Sequence, residues 1–240
     1  MSNSWFQFKQ FTIHQDKCAM KVTTDASLFG AWVAAHVKKL PAKLLYDLGT
    51  GTGLLSMMLA QARSDMRIVA VDIEEDAVLQ ARSNAAASPF AHQIEVLQQD
   101  IRWMPAEPKA DFIISNPPFH ELQLSSIFDA KNIAHHSDAL LLEELFLKAK
   151  SLLAANGQFA VLLPFYRKQA MLTLAAELHF TVVHGCDVRQ TPKHDLFRTM
   201  AIFAHGTAPH ATFSNMSIGG EHEQYDPAFV QLLKDYYLKL

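Results

Sequence analysis

The chain has 240 residues, half of them apolar and a tenth aromatic, enough to bury a full core, which excludes intrinsic disorder. A net charge of −3 with histidines neutral and a sequence pI of about 6.4 exclude a globally basic nucleic-acid binder, so any phosphate footprint has to be local. No apolar run approaches the ~18 residues of a membrane span, and the N-terminus lacks the charged-then-apolar pattern of a secretory signal. Cys18 and Cys186 offer neither a disulfide framework nor metal spacing, and both read as free thiols in a reducing, cytoplasmic setting.

In chain order, Trp5, Phe6, Phe8, Phe11 and Ile13 alternate with polar residues as a small hairpin would. Thr23-Thr24-Asp25 reads as an N-cap region, opening a helix over Ser27–Val37 with Leu28, Trp32 and Ala35 on one face; Pro41 ends it. Lys43–Asp47 is a strand. After it come Gly49, Gly51 and Gly53 at alternate positions, then a helix to Ala62. Such glycines let the backbone turn sharply and let a ligand approach closely. The spacing is neither that of dinucleotide enzymes nor that of a P-loop.

A second strand, Arg67–Val71, ends in Asp72 before a helix over Glu75–Ala86. An acidic group roughly 20 residues past a glycine loop suits the two hydroxyls of a ribose. Ile94–Leu97 is a third strand, followed by Asp100 and Ile101, a position that borders the base of a bound nucleoside in an open α/β sheet.

Asp111–Ser115 is a β-branched and aromatic strand that stops at Asn116-Pro117-Pro118-Phe119. An exocyclic amino group is a poor nucleophile because its lone pair is delocalised. The Asn116 side-chain oxygen and the Pro117 carbonyl could accept its hydrogens and favour a pyramidal nitrogen, while Phe119 stacks on the ring for roughly 1–3 kcal/mol. Strand ends at Asp47, Asp72, Asp100 and Asn116 fall on one edge of a parallel sheet, where ligands bind.

The loop His120–Ser137 is long and holds His135-His136, read as surface or phosphate contacts rather than zinc ligands. A helix over Asp138–Ala155 carries Leu141, Leu145, Ala149 and Leu152, with Asn156-Gly157 as its stop. Gln158–Leu163 is a fifth strand closed by Pro164, and a helix spans Lys168–Leu178. Phe180–Val183, extensible to Val188, and Leu196–Ala204 form an antiparallel hairpin, because no crossover helix separates them. A last helix over Asp226–Leu240 is striped by Phe229, Leu233, Tyr236 and Tyr237. Basic residues cluster locally at Lys9, Lys17 and Lys21, at Arg167 and Lys168, and at Arg189, Lys193 and Arg198.

The order Asp-Leu-Gly-Thr-Gly-Thr-Gly, Val-Asp-Ile, Gln-Asp-Ile and Asn-Pro-Pro-Phe resembles class I S-adenosylmethionine (SAM)-dependent methyltransferases that act on amino groups. Phe8-Lys9-Gln10-Phe11, Cys18 to Asp25, Gly30-Ala31-Trp32 and the ending Tyr225…Tyr236-Tyr237-Leu238 are similar to the bacterial tRNA adenine-N6 methyltransferases, which modify adenine 37 of a valine tRNA. The resemblance implies a Rossmann-like α/β fold: a seven-stranded sheet with a C-terminal antiparallel hairpin and a short N-terminal extension. It implies one methyltransferase domain over 1–240, with a flap and helix at 1–40, the catalytic core at 41–206 and an extension at 207–240.

By the same resemblance, Asp47, Gly49, Gly51 and Gly53 line the methionine and ribose part of SAM, and Asp72 takes the ribose hydroxyls. Asp100 and Ile101 border the adenine, Lys21 and Thr23 cover the methionine end, and Asn116, Pro117 and Phe119 hold the target base. Lys9, Lys17, Arg167, Lys168, Arg189, Lys193 and Arg198 would form the tRNA footprint of a monomeric, metal-free, cytoplasmic enzyme. The family commonly has Ala-Arg-His where this chain has Ala134-His135-His136, and a tyrosine at Phe119. Ribosomal guanine N2, a release-factor glutamine, or nucleoside binding without turnover are the alternatives.

Overall fold

A computed structural model describes residues 3–18, 21–118, 142–206, 213–220 and 224–240. Phe119, His135, His136, Leu141 and the expected helix start at Asp138 lie outside the described residues.

The aromatic N-terminus forms the expected hairpin, β1 (Trp5–Gln7) antiparallel to β2 (Thr12–His14). Phe8, Phe11 and Ile13 are buried in the core rather than presented to solvent. Helix α1 (Thr24–Val37) begins three residues earlier than expected, capped by the Thr23 side chain, which accepts from the Ala26 N–H. Ala35 is exposed, whereas Leu28, Phe29, Trp32 and Val33 are buried. The helix hides most of its circumference because it touches the later helices α2 (Leu54–Ala62) and α6 (Pro227–Leu233) and the strand β7 (Leu153–Pro164).

The remaining strands are β3 (Leu44–Leu48), β4 (Arg67–Asp72), β5 (Ile94–Gln98), β6 (Ala110–Ser115), β8 (Phe180–Arg189), β9 (Leu196–His205) and β10 (Phe213–Ser217). With β7 they form one eight-stranded sheet in the order β10-β8-β9-β7-β6-β3-β4-β5. Strands β7, β6, β3, β4 and β5 are mutually parallel, and β9 runs antiparallel between β7 and β8. The hairpin inferred from the missing crossover helix is thus present. The eighth strand, β10, extends the seven expected: it comes from the tail and pairs parallel with β8.

Successive residues alternate between two cores. Phe112 and Ile114 of β6 face α1, α2 and α6, while Ile113 joins the cluster under the helices α4 (142–152 as described) and α5 (Lys168–Glu177). Helix α3 (Glu75–Ala86) sets Val78 and Ala81 on Ala70 and Val96. Two expected boundaries are corrected. Helix α4 ends at residue 152, and Asn156-Gly157 lies in the irregular start of β7, where the register with β6 shifts between Ala110 and Phe112. A Cβ on Gly157 would sit 2.9 Å from the Ala110 carbonyl oxygen, so glycine there serves close strand approach and not helix termination. The last helix stops at Leu233; Tyr236 and Tyr237 follow as buried turn residues, Tyr237 bridging to Phe8. Among the described residues no helix is long and apolar enough to cross a membrane.

Candidate active site

The parallel strands end together, and a cavity of about 630 Å³ opens at that edge, a size typical of small-molecule sites. Its floor is the glycine loop. Gly49 and Gly51 have φ of +74° and +55°, and a Cβ at either would meet no atom within 4 Å, so the backbone lies bare to the cavity. Gly53, φ +82°, stands instead at the N-cap of α2 and outside the cavity lining. The Val71 carbonyl of β4 accepts from the N–H groups of both Gly49 and Thr50, pinning the loop across two strands.

Asp47 lies under this loop. It is fully buried and outside the cavity lining, with Oδ2 accepting from the Thr50 hydroxyl at 2.6 Å and the Ser56 hydroxyl at 2.7 Å. Oδ1 has no hydrogen-bond partner among the described residues. Burial pushes its carboxyl up to about 6 against the pull of those two hydroxyls, with the Asp72 charge adding to the rise.

Asp72 lines the cavity at the end of β4. Its Oδ2 accepts from the Gly51 N–H at 2.8 Å and its Oδ1 from the Glu74 N–H at 3.1 Å. A carboxylate offers about four acceptor positions, so this one can orient the loop and still receive hydroxyl donors. Asp100 and Ile101 line the same cavity beyond β5; Asp100 caps a 3₁₀ turn (Ile101–Trp103) and is paired to Arg102 at 2.7 Å, which holds its carboxyl below the usual range. Opposite the glycine loop stand Asn116, Pro117 and Pro118, and Ser115 just before them donates its hydroxyl to the Leu48 carbonyl at 2.7 Å. That bond ties the end of β6 to the start of the loop.

The cavity wall includes Lys17 and Cys18, which the sequence reading did not place there. Two buried amides on α3 put them in position. Asn84 accepts from the His14 N–H at 2.9 Å and donates to the carbonyls of His14 at 2.8 Å and Thr52 at 2.9 Å. Gln80 accepts from the Lys17 N–H at 3.1 Å. One turn apart on the helix, these residues clamp the N-terminal segment to the glycine loop. Cys18 is raised to about 11 by burial first and then by Asp72, Asp76 and Asp16, so it is a neutral thiol in the wall.

Lys21 and Thr23 are not in the cavity lining, and Thr23 has its oxygen engaged in the α1 cap. Of the basic residues expected on an RNA footprint, Arg167 is buried. Lys168 donates to the buried Asp187 at 2.6 Å, and Arg198 pairs with Asp25 at 2.6 Å. Lys9, Lys17 and Lys193 are exposed and Arg189 is half-buried.

A family model described as the methyltransferase small domain matches residues 30–183, which contain the glycine loop, Asp72, Asp100 and Asn116. Fold and cavity are therefore those of a methyltransferase. A protein of Parabacteroides distasonis named tRNA1(Val) (adenine(37)-N6)-methyltransferase is 38% identical over 242 residues, covering 100% of both chains. One of the same name from Phocaeicola vulgatus is 38% identical over 240 residues, also covering 100% of both. The chain belongs to the methyltransferase family that these proteins represent. Among solved structures, a predicted O-methyltransferase from Agrobacterium tumefaciens superposes with a TM-score of 0.68 at 18% identity, covering 88% of this chain and 95% of that one, a likeness of fold.

Proposed function

We propose that the chain transfers a methyl group from SAM to the exocyclic N6 of adenine 37 in the anticodon loop of a valine tRNA. The observation that carries this reading is the convergence of Asn116-Pro117 and the glycine loop on one cavity. The full-length relatives' names supply the nucleobase and the RNA.

The residues present fit SAM. The bare backbone of Gly49 and Gly51 leaves room for the methionine chain, Asp47 braces that loop from beneath through Thr50 and Ser56, and Asp72 retains acceptor capacity for a ribose diol. Asp100 and Ile101 would flank the adenine. Bound there, SAM supplies an electrophilic sulfonium methyl. The chain's own contribution is alignment. Asn116 and the Pro117 carbonyl accept the two amino hydrogens of the target base, localising the nitrogen lone pair and holding it toward the donor. The nitrogen sheds its proton after the methyl has arrived, so no strong base is needed. An unpaired loop adenine is also extruded at lower cost than one in a duplex.

The test is methyl transfer from labelled SAM into unmodified total tRNA, with nucleoside analysis and an Asn116→Ala control. N6-methyladenosine in a valine tRNA, reduced about 10²–10³-fold in the control, is the expected result. Label in another nucleoside moves the substrate and keeps the chemistry. No label in any RNA overturns the RNA reading and directs the search to protein glutamine.

A further inference from the structure

We infer that Tyr166 is a stacking platform for a nucleobase adjoining the target, an assignment that rests on the RNA reading of the same site. Strands β6 and β7 are parallel neighbours with Ser115 opposite Val161. Both therefore leave the sheet at one edge, β6 into Asn116-Pro117-Pro118 and β7 into a 3₁₀ turn, Phe165–Arg167. The next strand across, β9, runs antiparallel with Arg198 opposite Pro164, so the turn joining β8 to β9 opens at the same edge. With strands about 4.8 Å apart, the order along the edge is Asn116, then Tyr166, then the turn that follows Arg189 at the end of β8 and carries Lys193 and His194.

Within its turn Tyr166 is the outlier. Pro164 is held in the ladder, Arg167 is buried, and Lys168 is fixed by Asp187, which also accepts from the Thr199 hydroxyl at 2.8 Å. The Lys168 ammonium lies 3.7 Å from the Phe213 ring centroid and 5.7 Å from that of Phe165. The backbone under Tyr166 is thus anchored on both sides while its own side chain is 56% exposed. The Arg167 guanidinium lies 5.8 Å from the Tyr166 ring centroid and sets a positive charge beside it.

An aromatic face held out on a rigid turn, with cations beyond it and the amino-group site before it, matches single-stranded RNA. One base enters at Asn116, its neighbour stacks on Tyr166, and the phosphates continue toward Lys193. Base–aromatic stacking tolerates any base, so this contact sets register and affinity and leaves the choice of adenine to Asn116 and Pro117.

The test uses the full chain with SAM and an anticodon stem-loop RNA, comparing wild type, Tyr166→Ala and Tyr166→Phe. The expected result is a KM for RNA raised about tenfold in the alanine variant and within about twofold of wild type in the phenylalanine variant, with the KM for SAM unchanged. An abasic nucleotide beside the target adenine supplies the second arm. It should cost wild type the same factor and cost Tyr166→Ala nothing further. An unchanged RNA KM in Tyr166→Ala, a phenylalanine variant as weak as alanine, or equal abasic losses in both proteins would overturn the assignment and leave the adenine reading intact. A wild-type protein that methylates no RNA overturns both.

Discussion

Asp47 makes an unusual demand on the fold, and Asp47→Asn isolates it. A carboxyl raised from its ordinary 3.8 to about 6 by burial costs the ionised folded state about 3 kcal/mol at pH 8. The sign follows from proton counting: between about pH 4 and 6 the folded chain holds a proton that the unfolded chain has released. Stability is therefore greatest below that window, falls through it, and stays lowered above pH 6. In Asp47→Asn the amide oxygen can still accept from Thr50 and Ser56, but the new NH₂ occupies the position of the unpartnered Oδ1, returning about 1–2 kcal/mol as an unsatisfied donor. A net gain of about 1–2 kcal/mol at pH 8 raises the melting temperature of the ligand-free protein by roughly 2–8 °C. At pH 4.5, where wild-type Asp47 is protonated, that gain disappears. Affinity for SAM should fall only modestly, because Asp47 lies outside the cavity and the amide oxygen still holds Thr50 and Ser56 beneath the glycine loop. Thermal unfolding at the two pH values, with calorimetric titration of SAM, reads both effects. A ligand-free Asp47→Asn protein with the same melting difference at pH 4.5 and pH 8 would refute the reasoning.

Other perturbations read the neighbouring contacts. Gly51→Ala meets no steric neighbour but carries φ +55°; about 1 kcal/mol of stability should be lost, together with a rise in the KM for SAM, measured by steady-state kinetics. Asn84→Ala removes three hydrogen bonds from a buried site; the KM for SAM should rise at least tenfold, whereas Gln80→Ala, which loses the single bond to Lys17, should have a smaller effect in the same direction. Asp187→Ala strips the acceptor from Lys168 and Thr199, and a loss of about 3 kcal/mol is expected by urea unfolding. Binding of the RNA stem-loop should weaken with salt on a log–log slope of only about −2 to −3 if Lys17, Arg189 and Lys193 are the phosphate contacts; a slope of about −5 to −6 would implicate residues that the fold engages internally.

What could be read in advance was what local chemistry repeats. Gly49, Gly51 and Gly53 have the left-handed backbone that alternate glycines advertise, and Asp72, Asp100 and Asn116 share one edge because parallel strands leave them no other place, whereas Asp47 falls inside β3 and is buried beneath the loop. The clamp on α3 was hidden for the opposite reason. Gln80 and Asn84, four apart, look like a solvated helix face, and only the docked N-terminal hairpin makes them buried. Strand β10 was illegible because Phe-Ser-Asn-Met-Ser has no apolar alternation; its pairing is supplied by the free edge of β8. The basic cluster was legible as charge but not as destination, since Asp187 and Asp25, which take Lys168 and Arg198, are 19 and 173 residues away in sequence.

The bridge between Phe8 and Tyr237, reinforced by the Lys9 N–H donating to the Tyr236 carbonyl at 2.8 Å, bears on how the chain is made. A ribosome releases Phe6 and Phe8 long before their partner Tyr237, which emerges roughly 230 residues later, on the order of 10–45 s at ordinary elongation rates. Until then this aromatic segment lacks the tail on which it packs. Since the same segment continues into Lys17 and Cys18, which Asn84 and Gln80 hold from α3, the wall of the cavity can form once α3 is made, and the tail arrives later as a brace behind the hairpin.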